Sequence, residues 1–383
     1  MAFDFPASPT VGTVFAPAGG PSWQWNGTVW VQTAASGFVP EAPLDNQPYV
    51  RANGQWAMQP GTADTYNRAV NGGMQHSQEN GNTAGTTLGY YMADQWSLAF
   101  NGTTPSINRT YPTSDIRISP GYITLVSSSK PSLAAGDYAM IEQRIEGTRI
   151  CDLGWGAASP MSVVLAFSAS TNTPGTYAVA LRNDTGTRSY VIPVALTSTL
   201  QRFAFAIPGC PDGTWQNSSA FSLDLTLAGA SGSSLYAPQT QQWQSGNYIG
   251  FAGMSNLCSA AGQAINLGRV GLYADPSNTG RAPSWQTPDA ASELIACKRY
   301  YQSYLGLTGF AATRYAADPY RVCMFLYPVA MRAAPTSQVR GNIDGGAEIA
   351  LTVDSTHATD LNVAHTGQTN FVQITKIILN ARM

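Results

Sequence analysis

The chain has 383 residues, of which 11% are charged and 44% hydrophobic, against the roughly 25% charged usual in globular proteins. Its 20 basic and 22 acidic side chains leave a net charge of −2, which excludes the basic field that nucleic-acid binding requires. No apolar run reaches the roughly 20 residues that carry a helix across a bilayer. MAFDFPASPT at 1–10 lacks the basic and apolar regions of a secretory signal, so assembly in a cytoplasm is expected.

A length of 383 residues allows two or three domains. A weakly charged surface with 37 Gly and 24 Pro suits an all-β particle with extensive subunit contacts. Residues 1–60 hold two related units. PSWQWNGTVWVQ (21–32) and PYVRANGQWAMQ (48–59) each place aromatic-bearing arms around an Asn-Gly pair, at Asn26-Gly27 and Asn53-Gly54. Asn-Gly between alternating arms predicts a β-hairpin, because hairpin turns need residues that tolerate positive φ. Hairpins this small build no large core, so Trp23, Trp25, Trp30 and Trp56 must pack on each other or on another protein.

Residues 60–75 read as a linker and YYMADQWSL (90–98) as a strand, with Trp96 as a core anchor. DYAMIEQRIEG (137–147), DLGWGAASPMSVVLAFSAS (152–170) and GTYAVALRNDTGTRSYVIPV (175–194) continue a run of short alternating strands. YITLVSS (122–128), QRFAFAI (201–207), FSLDLTLAG (221–229) and INLGRVGLYAD (265–275) belong to the same run. Short strands with turn signals between them predict an antiparallel sandwich, a jelly roll, over 61–283.

A short helix is predicted within 284–304, N-capped by Asp289, with Leu294, Ile295 and Cys297 as its apolar face. A C-terminal β domain is expected over 305–383. Its strands are an apolar one in YRVCMFLYPVAMRAAPTSQV (320–339), then AEIALTVDS (347–355) and NFVQITKIILNAR (370–382).

Little of this announces catalysis. His76, His357 and His365 lie in polar loops without metal-ligand spacing. Cys151, Cys210, Cys258, Cys297 and Cys323 match no zinc or redox motif. Their odd number predicts buried thiols, the alternative being disulfides formed after lysis. No G-x-S-x-G context appears. Glycoside hydrolysis needs two carboxylates roughly 5–10 Å apart. Glu142, Glu146 and Asp152 are close in sequence, yet each is within reach of Arg144, Arg149 or an arginine on a neighbouring strand. Ion pairs on a strand face are therefore expected, with no catalytic residue, cofactor or metal. Sugar faces stack on flat rings, and Trp155 (LGWGAAS), Trp215 (PDGTWQN) and Trp243 (TQQWQSG) sit in loop-like segments; these three are the candidate glycan contacts.

Several segments resemble phage tail-fibre and virion-appendage proteins that carry a jelly-roll module. FPASPTVGTVF (5–15) with SWQWNGTVW (22–30) is similar to their N-terminal module, and NGGMQHSQENG (71–81), with its N-G-x-M-x-x-x-Q pattern, resembles the entry strand of their jelly roll. ELIACKRYY (293–301) resembles the E-L-x-x-C-x-R-Y-Y junction that follows it. The resemblance covers roughly 3–32 and 71–310. It implies attachment to other virion proteins through Phe5, Trp23, Trp25, Trp30 and Trp56, a homotrimer, a place on the virion, and binding of host surface polysaccharide. A free lectin-like protein and a polysaccharide depolymerase are the competing expectations.

Overall fold

The computed structural model describes residues 4–17, 21–33, 49–52, 55–58, 63–115, 117, 120–305, 311–313, 321–343, 345–365 and 371–383. For 49–52, 55–58, 311–313, 321–323, 343, 354, 364–365 and 371–372 it describes the backbone alone. The chain divides into two units, Met1–Gly61 and Thr62–Met383.

In the first unit β1 (Val14–Phe15), β2 (Ser22–Trp25) and β3 (Trp30–Thr33) form one sheet, and β4 (Tyr49–Ala52) pairs with β5 (Gln55–Met58). Both predicted hairpins are present, the first widened by β1. Its turn is a four-residue loop in which Asn26 Oδ1 accepts from the N–H of Thr28 and Val29, at 2.9 Å each. Gly27 takes φ +102°, which an L side chain rarely adopts.

The second unit opens without the entry strand that the resemblance implies over 71–81. Asn71 and Met74 adopt φ +54° and +55°, and a Cβ on Gly72 would lie 2.0 Å from the Val270 carbonyl oxygen. Buried Asn71 holds this turn, donating Nδ2 to the carbonyls of His76 (2.8 Å) and Asp94 (3.0 Å). The strand predicted over 90–98 is two, β6 (Tyr91–Ala93) and β7 (Trp96–Asn101), reversed at Gln95 with φ +70°. Trp96 is buried and donates its indole N–H to the Val70 carbonyl at 3.1 Å.

Next come β8 (Ser106–Thr110), β9 (Tyr122–Val126), β10 (Tyr138–Glu146), β11 (Val163–Thr171), β12 (Gly175–Asn183), β13 (Arg188–Leu196), β14 (Gln201–Ile207) and β15 (Phe221–Ser231). They are followed by β16 (Tyr236–Ala237), β17 (Trp243–Ser245), β18 (Gly250–Phe251) and β19 (Ala264–Ala274). Between β10 and β11, Gly147–Arg149 and Cys151–Leu153 form two 3-10 turns. A seven-stranded sheet, β17-β13-β12-β15-β10-β7-β6, faces a five-stranded one, β14-β11-β19-β9-β8, all pairs antiparallel. Ile141, Ile145, Val179, Leu225 and Leu227 point inward from the first sheet, and Leu165, Phe167, Ile123 and Leu267 from the second. This is the all-β sandwich the alternation predicts. Burying each such side chain contributes about 1.5–3 kcal/mol.

Asp289 caps α1 (Ala290–Lys298) as expected, accepting from the Ser292 N–H at 2.9 Å. Cys297 is buried, but Ile295, placed by sequence on the apolar face, is 57% exposed. Beyond it lie β20 (Tyr301–Leu305), β21 (Ala311–Thr313), β22 (Arg321–Leu326), β23 (Thr336–Ile343), β24 (Glu348–Ala350), β25 (Thr352–Thr356), β26 (Asp360–His365) and β27 (Phe371–Asn380). The single strand expected in 320–339 is thus β22 and β23, broken after Leu326. That expected over 347–355 splits at Leu351, whose N–H turns to the Val339 carbonyl at 2.9 Å. Cys210, Cys258 and Cys297 are buried free thiols, as predicted. Cys151 departs from that expectation: its free thiol is exposed in a 3-10 turn.

Candidate functional site: a groove on the seven-stranded sheet

Inward placement of Ile141 and Ile145 forces their even-numbered neighbours on β10 to the outer face, since successive strand side chains alternate. Register then aligns charge across three strands. Asp224 on β15 lies opposite Arg144 on β10 and opposite Arg182 on β12. Glu142 lies opposite Ser97 on β7. Part of this outer face is covered: Ala178, Ala180, Val191 and Ala228 pack under Ala237 and Ile249. The uncovered part is a groove of about 410 Å³, within the roughly 300–1,000 Å³ usual for ligand sites. Its floor is the Arg144–Asp224–Arg182 row with Glu142. Tyr91, Tyr138 and Phe221 supply aromatic walls, and the Asn183–Gly186 turn and Asn247 form the rim.

Each charge has a partner. Arg182 pairs with Asp224 and donates Nη1 to Asn247 Oδ1 at 2.8 Å. Arg144 lies 3.5 Å from Glu142 and 5.4 Å above the Phe221 ring. Glu142 also accepts from the Ser97 hydroxyl at 3.3 Å. Burial, followed by the nearby Asp224 carboxylate, pushes the Glu142 carboxyl up to about 7. Burial likewise raises Asp224, against the pull of Arg182 and Arg144. Asp224 Oδ1, Asp184 Oδ1, Arg144 Nε and Arg182 Nε are buried beneath the groove surface and make no hydrogen bond within the described residues.

The rim is stiff. Asn183 Oδ1 accepts from the N–H of Thr187 and Arg188 at 2.8 and 2.9 Å, and its Nδ2 reaches the Thr214 carbonyl at 3.2 Å. Gln216 donates to Asp184 Oδ2 at 2.9 Å. The loop carrying Thr214 and Gln216 is held in turn by Trp155, Trp215 and Trp243. Sequence offered these three as separate glycan contacts; the fold gathers them into one cluster. Ring centroids lie 4.8 Å (155–215), 5.2 Å (155–243) and 5.7 Å (215–243) apart, all edge to face. Each indole N–H donates to a backbone carbonyl: Trp155 to Met161 (2.8 Å), Trp215 to Asp212 (3.1 Å), Trp243 to Pro208 (2.7 Å). Trp155 is 7% exposed. None of the three lines the groove.

The ion pairing expected of Glu142 with Arg144 is present, but Glu146 differs. A register shift after Ile145 takes it out of the row, and it binds Arg299 at 2.7 Å and the Tyr300 hydroxyl at 3.1 Å. Asp152 pairs with Arg68 at 2.5 Å. Sequence reasoning did not single out Asp224 or Arg182, although each is a lone charge at an outward position of an otherwise apolar strand. No cluster of three or more His, Cys, Asp or Glu is poised for a metal among the described residues.

Among the proposed anchoring residues, Phe5 stacks on Trp30 at 5.2 Å and meets Trp23 edge-on at 5.6 Å. Trp25 lies 5.7 Å from Trp30. The side chain of Trp56 lies outside the described residues. Val14 and Val31, on the opposite face of that small sheet, are exposed. A second pocket of about 470 Å³ lies between Tyr66, Trp285 and the start of α1. Its two carboxylates are committed, Asp289 to Ser292 and Glu293 to the Asn71 N–H.

No protein family matches the chain, and no curated protein matches it by sequence. Among solved structures it is similar to the N-terminal cellulose-binding domain of β-1,4-glucanase C from Cellulomonas fimi, with 12% identity, 47% of this chain and 88% of that one covered, and a TM-score of 0.26. It is also similar to the family 11 carbohydrate-binding module of a cellulosomal cellulase from Clostridium thermocellum (10%, 50% and 95%, 0.26). A third is a xylan-binding domain from Paenibacillus barcinonensis (8%, 50% and 92%, 0.26). Identities and scores of this size carry no functional conclusion for the chain.

Proposed function

We propose that this is a non-catalytic saccharide-binding protein of a phage virion appendage, and that host surface polysaccharide enters the groove on the seven-stranded sheet. The observation that carries the binding role is the groove itself. Donors and acceptors alternate along Arg144, Asp224, Arg182 and Asn247, and aromatic walls flank them. Sugar hydroxyls, each donor and acceptor at once, suit such a row, and their C–H faces suit Tyr138 and Tyr91. The virion place, the homotrimer and the anchoring role of Phe5, Trp23, Trp25, Trp30 and Trp56 rest on the sequence resemblance. The free lectin-like reading shares the groove and lacks only the anchor.

One observation favours a depolymerase as the second reading: a glutamate pushed up to about 7 beside another carboxylate is what a general acid requires. Against it, both carboxylates have arginine partners. Calorimetric titration of the whole chain with host-surface oligosaccharides tests the binding role, with Asn247→Ala expected to weaken binding tenfold or more. Absence of binding to any saccharide refutes it, and new reducing ends in the same mixtures establish the depolymerase.

A further inference from the structure

We infer that the groove selects acidic saccharides, and that the Arg144 guanidinium is the group that meets a sugar carboxylate. The inference rests on the saccharide-binding reading and adds the charge of the ligand.

A ligand entering the groove meets its charges unequally. The side chains of Asp224 and Glu142 are 7% and 8% exposed, whereas that of Arg144 is 42% exposed. Arg182 is sunk beside Asp224 and already bonds it and Asn247. On the rim, Asp184 Oδ2 accepts from Gln216, and Oδ1 is buried. The carboxylates lining the groove are thus sunk or bonded, and the open charge on its floor is a guanidinium.

That guanidinium makes no hydrogen bond within the described residues. Its Nε is buried, so the exposed part is the terminal edge, Nη1 and Nη2. The Phe221 ring, 5.4 Å away, supports the group from one side. Two parallel N–H donors on a planar fork match the two oxygens of a carboxylate. Glu142 stands 3.5 Å from Nη2 and takes its hydrogen bond from the Ser97 hydroxyl instead. Around Glu142 stand Arg144 on its own strand, Asp224 on β15, Arg182 on β12, and the phenols of Tyr91 and Tyr138. Burial, then Asp224, pushes Glu142 up to about 7, so at pH 6 it is mostly neutral and does not rival an incoming anion.

The test is calorimetric titration of the whole chain at pH 6 with trigalacturonate, cellotriuronate and trimannuronate. Each is set beside the trimer made from it by reducing its carboxyls to primary alcohols, which keeps ring and linkage. At least one acidic trimer should bind tenfold or more tighter than its reduced counterpart. Arg144→Gln should narrow that ratio threefold or more, as should Arg144→Lys, which keeps the charge and loses the fork; thermal midpoints show that each variant folds. On the unaltered chain, raising salt from about 20 mM to about 300 mM should narrow the same ratio, because screening acts on the acidic partner alone. A reduced trimer that binds as tightly as its acidic parent, or a ratio unmoved by salt or by the folded variants, overturns the inference and leaves the saccharide-binding reading intact. Failure of all six to bind overturns the inference alone, since the host-surface oligosaccharides decide the binding role.

Discussion

Arg182 on β12 and Asp224 on β15 occupy directly opposed register positions and join in a buried ion pair. Removing one partner of such a pair strands the other. Arg182→Ala should therefore lower unfolding free energy by about 3–5 kcal/mol in urea at pH 7. Arg182→Leu combined with Asp224→Leu should recover most of that loss. A single substitution costing under about 1 kcal/mol would place the pair among surface ion pairs.

Glu142 sets a pH dependence whose sign is fixed. Its folded carboxyl is raised from 4.5 to about 7 by burial, then by Asp224, with Arg144, Arg182 and the Ser97 hydroxyl opposing. The fold thus favours the protonated acid, and that contribution is complete below pH 4.5 and lost as pH rises through about 7. Asp224 is raised in the same direction. Thermal midpoints should fall between pH 5 and pH 8, and Glu142→Gln should flatten the slope. At pH 8 that variant should exceed the parent by on the order of 2 kcal/mol. A parent whose midpoint rises over that interval contradicts the placement of Glu142.

Thiol reactivity discriminates among the described cysteines. Burial pushes Cys210 and Cys258 up to about 11, and Cys297 well above its usual range, whereas Cys151 is exposed. Iodoacetamide at pH 8 followed by peptide mass mapping should find Cys151 alkylated first and the other three protected until denaturant is added. Equal labelling of Cys258 and Cys151 would count against the burial of Cys258.

Trp155 separates a packing role from a sugar platform. Trp155→Ala removes a 7%-exposed indole and its bond to Met161, a change expected to cost about 3–5 kcal/mol and to alter tryptophan fluorescence. A variant of unchanged stability that had lost saccharide binding would return these rings to the role first read for them.

QRFAFAI was legible to the residue: its period of two marks an edge strand with one wet face, and β14 runs from Gln201 to Ile207. Asp289 was legible because a cap is local chemistry. The turn at Asn71 was not, since Gly72 is pressed against a carbonyl of Val270, far along the chain. Nor was the groove. Arg144, Arg182 and Asp224 meet only through the pairing of β10, β15 and β12, and no local pattern records which strands will be neighbours. The three tryptophans carried the same kind of hidden information: each looked isolated, and only the fold makes them one cluster.

Arg382 lies between the rings of Tyr91 and Tyr301, 4.0 Å from each centroid, and Met383 beside it lines the groove and accepts from the Tyr91 hydroxyl at 3.3 Å. This latch ties one wall of the groove to the far end of the sequence. Every strand of the sandwich lies within residues 91–274, whereas this wall of the groove comes from residue 383. The groove is complete only where residues 382 and 383 meet a tyrosine that precedes Met383 by 292 positions in the chain.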